Sequence, residues 1–120
     1  MKYEGEYLKG ERNGKGKEYN NSGVLKFEGE YINGKRNGKG KEYSNFSEEI
    51  IFEGVYLNGK RWNGKGKEYN FNNHQLIFEG DYLNGKRWNG KEIKHIYNDE
   101  LIFDYLNGKR IEKWKERKHI

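Results

Sequence analysis

Polar and apolar positions alternate along much of the chain with a period of two. In Phe27–Ile32 aromatic residues or glycine alternate with acidic residues, and Gly38–Tyr43 begins with glycine alternating with lysine. A period of two is typical of a β-strand whose two faces differ. The intervening Asn33-Gly34-Lys35-Arg36 is typical of a turn, because Asn and Gly accept the positive φ that tight reversals require. The pattern therefore predicts a β-hairpin over residues 27–43.

The hairpin pattern recurs along the chain. A glycine follows the first acidic residue of each unit at Gly5, Gly29, Gly54 and Gly80, at intervals of 24, 25 and 26 residues. Self-similarity at such a period is typical of a repeat array. We expect repeats at about 3–26, 27–51, 52–77 and 78–102, with a degenerate fifth at 103–120, all in a single domain of residues 1–120. Residues 111–118 are compatible with a strand or a short helix, and we favour a final strand followed by a frayed basic tail.

A single register aligns the repeats. If Gly29 lies opposite Gly40, then Glu28 faces Lys41, Glu30 faces Lys39 and Tyr31 faces Gly38. The equivalent pairs in the neighbouring repeats are Glu4–Lys17, Glu6–Lys15 and Glu53–Lys67. This register predicts a sheet with Glu–Lys pairs on one face and a column of aromatic and aliphatic side chains on the other. The rings either form the core alone, or form the core and also offer a binding surface.

The recurring pattern Tyr/Phe-Glu-Gly-Glu-Tyr-x-x-Gly-Lys-Arg-x-Gly-x-Gly resembles the MORN (membrane occupation and recognition nexus) repeat. The resemblance covers about four repeats, from Tyr3 to about Ile102, and a decayed fifth. It implies an all-β fold, an elongated single-layer antiparallel sheet of consecutive hairpins with a degenerate C-terminal cap, and a scaffolding or protein-binding role. The family name also records a proposed affinity for membrane phospholipids. The chain departs from the family at Lys15, Lys39 and Lys65, where an aromatic residue or leucine is common.

Composition narrows the function. Charged residues make up 36% of the chain, and residues 109–120 carry most of the net charge of +5, so the repeats are nearly neutral. A neutral repeat region makes nucleic acid an unfavourable partner. The chain has no cysteine, no threonine and three serines, and its three histidines lack the spacing of metal ligands. We therefore expect no enzyme activity, no metal and no cofactor. Without an apolar leader or a membrane-length segment, we expect a cytoplasmic protein, with attachment to the membrane periphery as the alternative.

These features predict a non-catalytic scaffold for protein–protein interaction. We expect an extended or helical partner segment to bind along the aromatic and glycine face, at Phe27, Tyr31, Phe52, Tyr56, Phe78 and Tyr82. The alternative is binding to anionic phospholipid through basic hairpin tips and their tryptophans, at Lys35, Arg36, Lys60, Arg61, Trp62, Lys86, Arg87 and Trp88. A third alternative is a purely structural spacer that forms homo-oligomers through its exposed first and last strands.

Overall fold

The protein folds as a ten-stranded antiparallel sheet. The computed structural model describes the backbone of residues 2–118 and the side chains of residues 2–111. The strands follow one another in chain order in one open sheet, with no helix among the described residues, which confirms the all-β hairpin fold. They are β1 (Lys2–Leu8), β2 (Glu11–Tyr19), β3 (Leu25–Ile32), β4 (Lys35–Tyr43), β5 (Ile50–Leu57), β6 (Lys60–Tyr69), β7 (Leu76–Leu83), β8 (Lys86–Ile96), β9 (Asp99–Leu106) and β10 (Lys109–Lys118).

The chain divides into two compact units. Unit 1 is Met1–Gly64 and contains β1 to β5 with the first half of β6; unit 2 is Lys65–Ile120 and contains the remaining strands. The single-domain expectation for residues 1–120 stays a prediction.

Two-residue turns close the hairpins. Asn33 and Gly34 both have positive φ, at 50° and 82°, and the corresponding Asn and Gly of later repeats behave in the same way. The Asn-Gly turn is therefore as predicted. The basic pair that follows lies outside the turn, because Asn33 and Gly34 complete the reversal and Ile32 then pairs with Lys35.

The predicted register holds at the glycines and fails nearer the turn. Gly29 pairs with Gly40 as expected, but Tyr31 pairs with Arg36, because β4 forms a bulge between these two points. Glu30 therefore does not pair with Lys39 within the hairpin, and its carboxylate instead accepts a hydrogen bond of 2.6 Å from the Lys39 backbone N–H. The first repeat has the same bulge, in which Glu6 accepts a bond of 2.5 Å from the Lys15 backbone N–H, so the predicted Glu6–Lys15 strand pair is also wrong.

The third repeat departs further from the prediction. A Cβ built on Gly54 would lie 2.7 Å from the Cα of Gly64, so Gly54 lies against Gly64 and not against Gly66, as the predicted register requires. With Trp62 inserted, two residues separate Arg61 from Gly64. In the second repeat, three residues separate Arg36 from Gly40. The predicted register of the third repeat, with its Glu53–Lys67 pair, is therefore wrong. Glu53 lies opposite Lys41 of the preceding strand, with the charged atoms 3.9 Å apart.

The core consists of rings packed on bare backbone. The six aromatic residues singled out from the sequence are only 0–8% exposed. Gly40 shows why a glycine is required beneath them, since a Cβ there would lie 2.7 Å from the Phe27 ring. The rings also touch between repeats: the centroids of Phe27 and Tyr56 are 5.0 Å apart, edge to face. Within unit 1, each repeat therefore buries aromatic side chains against those of the next, and in unit 2 Phe78 packs on Tyr105 in the same way.

The chain closes with a strand. β10 pairs antiparallel with β9 over Lys109–Lys118, so the helical alternative for residues 111–118 is wrong. The end of the tail, residues 119–120, lies outside the described residues.

Candidate interaction surfaces

A glutamate near the end of each of the first four hairpins binds a tyrosine and an arginine of the next repeat. Glu18 accepts hydrogen bonds from the Tyr31 hydroxyl and from Arg36, whose Nε and Nη2 lie 2.9 and 3.1 Å from the carboxylate oxygens. We call this arrangement the Glu–Tyr–Arg clamp. It recurs at Glu42 with Tyr56 and Arg61, at Glu68 with Tyr82 and Arg87, and at Glu92 with Tyr105 and Arg110.

Each clamp arginine also covers a ring of its own repeat. The guanidinium carbon of Arg36 lies 4.1 Å from the centroid of Phe27, a cation–π distance. Arg61 and Arg87 lie 4.9 and 4.6 Å from Phe52 and Phe78 in the same way. These arginines belong to the basic pairs that the sequence suggested for anion binding. Their charge is already paired with a glutamate, which makes them less available to an anion than the exposed lysines beside them.

The clamp fixes the protonation state of its members. Burial alone would raise the pKa of Glu18, but hydrogen bonds from Arg36 and Tyr31 outweigh it and lower this pKa below its usual value. Burial, and then the hydrogen bond to Glu18, raises the pKa of Tyr31. Near neutral pH the carboxylate is thus a charged acceptor and the phenol a donor. A carboxylate held ionised in this way is a poor general acid.

The ring face is sealed by these contacts. Glycine backbone lies beneath the rings, while clamp arginines and neighbouring rings cover them. The burial of Phe27, Tyr31, Phe52, Tyr56, Phe78 and Tyr82 assigns them to the core, one of the two roles that the sequence allowed. Direct contact between a partner and these rings stays a prediction, and the low exposure leaves little ring surface to touch.

The other face of unit 1 carries an open groove of about 910 Å³. The residues on either side of each glycine point to this face, so the glycine backbone between them forms a floor. The floor consists of Gly5, Gly16, Gly29, Gly40 and Gly54, and the walls consist of Glu4, Lys17, Glu28, Lys41 and Glu53 on one side and Lys15, Glu30, Lys39 and Val55 on the other. We call this the glycine groove. Sequence reasoning assigned binding to the ring face and missed this groove, although the aligned glycines flanked by charge were its signal.

The charges in the first wall alternate in sign. Each strand contributes one charge, and Glu28 lies between Lys17 and Lys41 in the strand pairing. Because neighbouring strands are about 4.8 Å apart, the sign of this wall changes at about that interval. The groove is therefore nearly neutral in sum but strongly patterned.

A second surface lies at the hairpin tips. The residue before each turn is an aliphatic side chain that is 37–57% exposed, and we call these residues the tip row: Leu8, Ile32 and Leu57 in unit 1, and Leu83 and Leu106 in unit 2. The lysines that follow the turns, Lys35, Lys60 and Lys86, are exposed as well. Sequence reasoning found the lysines but missed the tip row, whose signal was an Ile or Leu directly before each turn.

The two tip tryptophans are half-buried. The ring of Trp88 lies about 3.0 Å from the position that a Cβ on Gly108 would occupy. The backbone carbonyl of Trp88 accepts a hydrogen bond from the Gly108 N–H. Trp88 therefore packs on the turn of the following repeat. Trp62 is also half-buried. Both are less available as membrane anchors than the tip row.

No cluster of three or more metal-ligating side chains occurs among the described residues. His95 contacts the Leu76 carbonyl at 2.8 Å and the Glu100 carboxylate at 3.6 Å, while His119 lies outside the described part of the chain. Within residues 2–118 there is no helix of the length and apolarity that crossing a bilayer needs.

Comparison with known proteins agrees with the hairpin architecture. Residues 3–24 and 27–46 each match the family model of the MORN repeat, and each match covers one hairpin, β1–β2 and β3–β4. No curated protein matches the chain. MORN repeats are generally associated with interaction with proteins or membranes. These two matches identify residues 3–24 and 27–46 as MORN repeats.

Proposed function

We propose that the chain is a non-catalytic scaffold whose glycine groove holds a helical segment of another protein. The observation that carries the proposal is the groove itself, an open volume of about 910 Å³ with a backbone floor and charged walls. The ring face is a weaker candidate for the contact because its aromatic side chains are buried. In the groove, by contrast, Gly5 is exposed and Gly29 and Gly54 are partly exposed between the rows of charge.

The spacing of the wall charges favours a helix that lies across the strands. One turn of α-helix advances about 5.4 Å, close to the strand spacing of about 4.8 Å. In an extended segment, successive side chains on one face are about 6.8 Å apart. This spacing fits the alternating charges of the wall less well. A helix with Lys and Glu on successive turns would therefore place each charge near an opposite charge of the wall. Small side chains on the same stripe would fit over the bare floor.

Val55→Trp tests the groove directly. Val55 is a partly exposed wall residue, and an indole there would fill the groove beside Gly54 without changing its charge. We expect at least about tenfold weaker binding of a labelled alanine-rich helical peptide with Lys and Glu alternating on one stripe, because filling the groove removes both floor and wall contacts. Fluorescence anisotropy measures this change.

Leu57→Trp is the matched control for that experiment. It adds the same indole two residues further along β5, on the same face but outside the groove. We expect it to bind the peptide as the unmodified protein does. Equal binding by the two tryptophan variants, or equal binding of a peptide whose Lys and Glu are grouped in blocks, would contradict the proposal.

Anionic phospholipid is the second candidate ligand, favoured by the tip row. Exposed aliphatic side chains beside exposed lysines combine burial in the lipid interface with attraction to anionic headgroups. In unit 1 the tip row residues Ile32 and Leu57 lie next to the turns that precede Lys35 and Lys60. Clamp arginines are left out of this proposal because they already pair with glutamates.

Lys35→Gln with Lys60→Gln should weaken sedimentation with phosphatidylserine vesicles. Each lysine near an anionic surface contributes about 1 kcal/mol, so the double change should cost on the order of tenfold or more. Lys2→Gln with Lys94→Gln removes the same charge from exposed positions away from the tips and should change little. If both pairs of changes have equal effects, or if neutral vesicles bind as well as anionic ones, the lipid proposal fails.

A further inference from the structure

β1 has nearly the same sequence pattern as β3 and β5. In unit 1 both of those strands pair with the strand that precedes them, whereas the outer edge of β1 has no such neighbour in the described sheet. β3 lies between β2 and β4, whereas β1 has β2 as its one neighbour in the described sheet. We propose that this edge is a docking site for a β-strand of another protein that carries the pattern Lys-Gly-Lys-Glu. Strand addition at an open edge is a general mode of peptide recognition, in which alternate side chains give specificity.

The pairing of β2 with β3 defines what such an edge accepts. Lys15, Gly16, Lys17 and Glu18 of β2 lie opposite Glu30, Gly29, Glu28 and Phe27 of β3. The next repeat has nearly the same pattern of pairs, with Lys39, Gly40, Lys41 and Glu42 opposite Val55, Gly54, Glu53 and Phe52. The receiving strand therefore has an aromatic residue, Glu, Gly and then a further residue before tyrosine. β1 has this order, as Tyr3-Glu4-Gly5-Glu6-Tyr7.

The receiving groups on β1 are accessible. Tyr7 occupies the position of Tyr31, but it is 61% exposed where Tyr31 is 2% exposed. Arg12 already lies over the Tyr3 ring at 4.5 Å, as Arg36 lies over Phe27. Its nearest carboxylate, that of Glu18, is 4.0 Å away, in contrast to the 2.9 Å of the Arg36–Glu18 contact. A glutamate on an incoming strand would complete a clamp with Tyr7 and Arg12.

A second copy of this chain fits the edge poorly. If two β1 strands paired with Gly5 opposite Gly5, Glu4 of each copy would face Glu6 of the other, and directly opposed like charges destabilise a sheet. β10 also lacks the glutamate that a clamp requires. Trp114 of β10 pairs with Phe103 at the position where Glu42 of β4 pairs with Phe27. The charge pattern therefore selects a foreign strand with lysines on both sides of a glycine.

A labelled peptide with the sequence of residues 12–19, Arg-Asn-Gly-Lys-Gly-Lys-Glu-Tyr, tests the proposal. We expect saturable binding to the full chain, measured by fluorescence anisotropy. Tyr7→Phe, or a peptide with Gln in place of its Glu, should each weaken binding about tenfold, because each removes a hydrogen bond to a charged group. Combining the two changes should weaken it no further, since both remove the same contact.

A charge exchange tests the register. Glu4→Lys should weaken binding of the parent peptide, and a peptide with Glu in place of its second Lys should bind this variant better than it binds the unmodified chain. Glu79→Lys is the matched control, because Glu79 occupies the same position in the fourth repeat, on a strand that already has neighbours on both sides. Absence of saturable binding up to about 1 mM, equal binding of the Gln peptide, or a stable dimer of the chain in light scattering would overturn the proposal.

Discussion

Phe52→Ala should lower the free energy of unfolding by about 3–5 kcal/mol. The Phe52 side chain is fully buried, and its ring lies 5.2 Å from the Tyr56 ring and 4.9 Å from the guanidinium of Arg61. Alanine would leave a cavity over the backbone of Gly64, which the sheet cannot close because the strands on either side are fixed by their hydrogen bonds. Since whole domains are typically stable by about 5–15 kcal/mol, this loss would remove much of the stability.

Urea unfolding followed by circular dichroism measures the effect of Phe52→Ala. Phe71→Ala is the control, because Phe71 is 88% exposed and its removal should cost no more than about 0.5 kcal/mol. If the two variants lose similar stability, the rings are not the core that the structure describes.

Glu18→Ala should cost about 2–4 kcal/mol, the second largest effect. Its loss leaves the Tyr31 hydroxyl and the Arg36 guanidinium without their shared acceptor. The Glu18 side chain is only 7% exposed, but that of Arg36 is 24% exposed, so water can replace part of the lost contact and the cost stays below that of a fully buried pair. Glu53→Ala is the control: Glu53 is 60% exposed and lies 3.9 Å from Lys41, so its loss should change little.

A double-mutant cycle with Arg36→Ala isolates the clamp from other effects of Glu18→Ala. We expect the two changes together to cost clearly less than the sum of the single changes. The clamp also predicts a pH dependence: the pKa of Glu18 is lower in the folded chain than the usual 4.5, so the unfolded state binds the extra proton. The stabilisation that ionised Glu18 contributes is complete above pH 4.5, the usual pKa, and is lost as the pH falls through the lower pKa of the folded chain. Glu18→Ala should therefore flatten the fall in stability below about pH 5, and additive single changes would contradict the clamp.

Local signals were enough to predict the strands and the turns. The alternation in Phe27–Ile32 depends only on which face each side chain takes, and Asn33-Gly34 needs nothing beyond its own backbone preference. The pairing of Gly29 with Gly40 also followed from the sequence, because it brings Glu28 opposite Lys41. Repetition extended this glycine pairing correctly to Gly5 and Gly16 of the first repeat, but the third repeat, with its inserted Trp62, does not follow the same register.

The parts that sequence reasoning missed depend on contacts between distant residues. The bulge in β4 is stabilised by a hydrogen bond from the Lys39 N–H to the Glu30 carboxylate, which alternation alone does not reveal. Arg36 looked like an exposed cation because its partner Glu18 lies 18 residues upstream, in another repeat. Pairing of that kind becomes visible only when the strands are placed side by side.

The sequence pointed to the ring face, and not to the glycine groove, for a related reason. Glycines and rings occur together in the sequence, so both were assigned to one binding face. In the structure the Phe27 ring occupies the space that a Cβ on Gly40 would need, and the open side of the same backbone becomes the floor of the glycine groove. A missing side chain thus has consequences on both faces of a single-layer sheet.

The most direct test of the sealed ring face is a pH titration of tyrosine ionisation, followed by NMR of the labelled Cζ carbons. Burial first, and then the nearby glutamates, raises the pKa of Tyr31 and Tyr56 above the ordinary 10.0, so the folded state keeps these protons and loses stability as the pH rises past that value. We expect both phenols to stay protonated well above pH 10 for as long as the sheet persists. Ionisation of both near pH 10 with an intact sheet would show that water reaches the rings, which would contradict a sealed ring face.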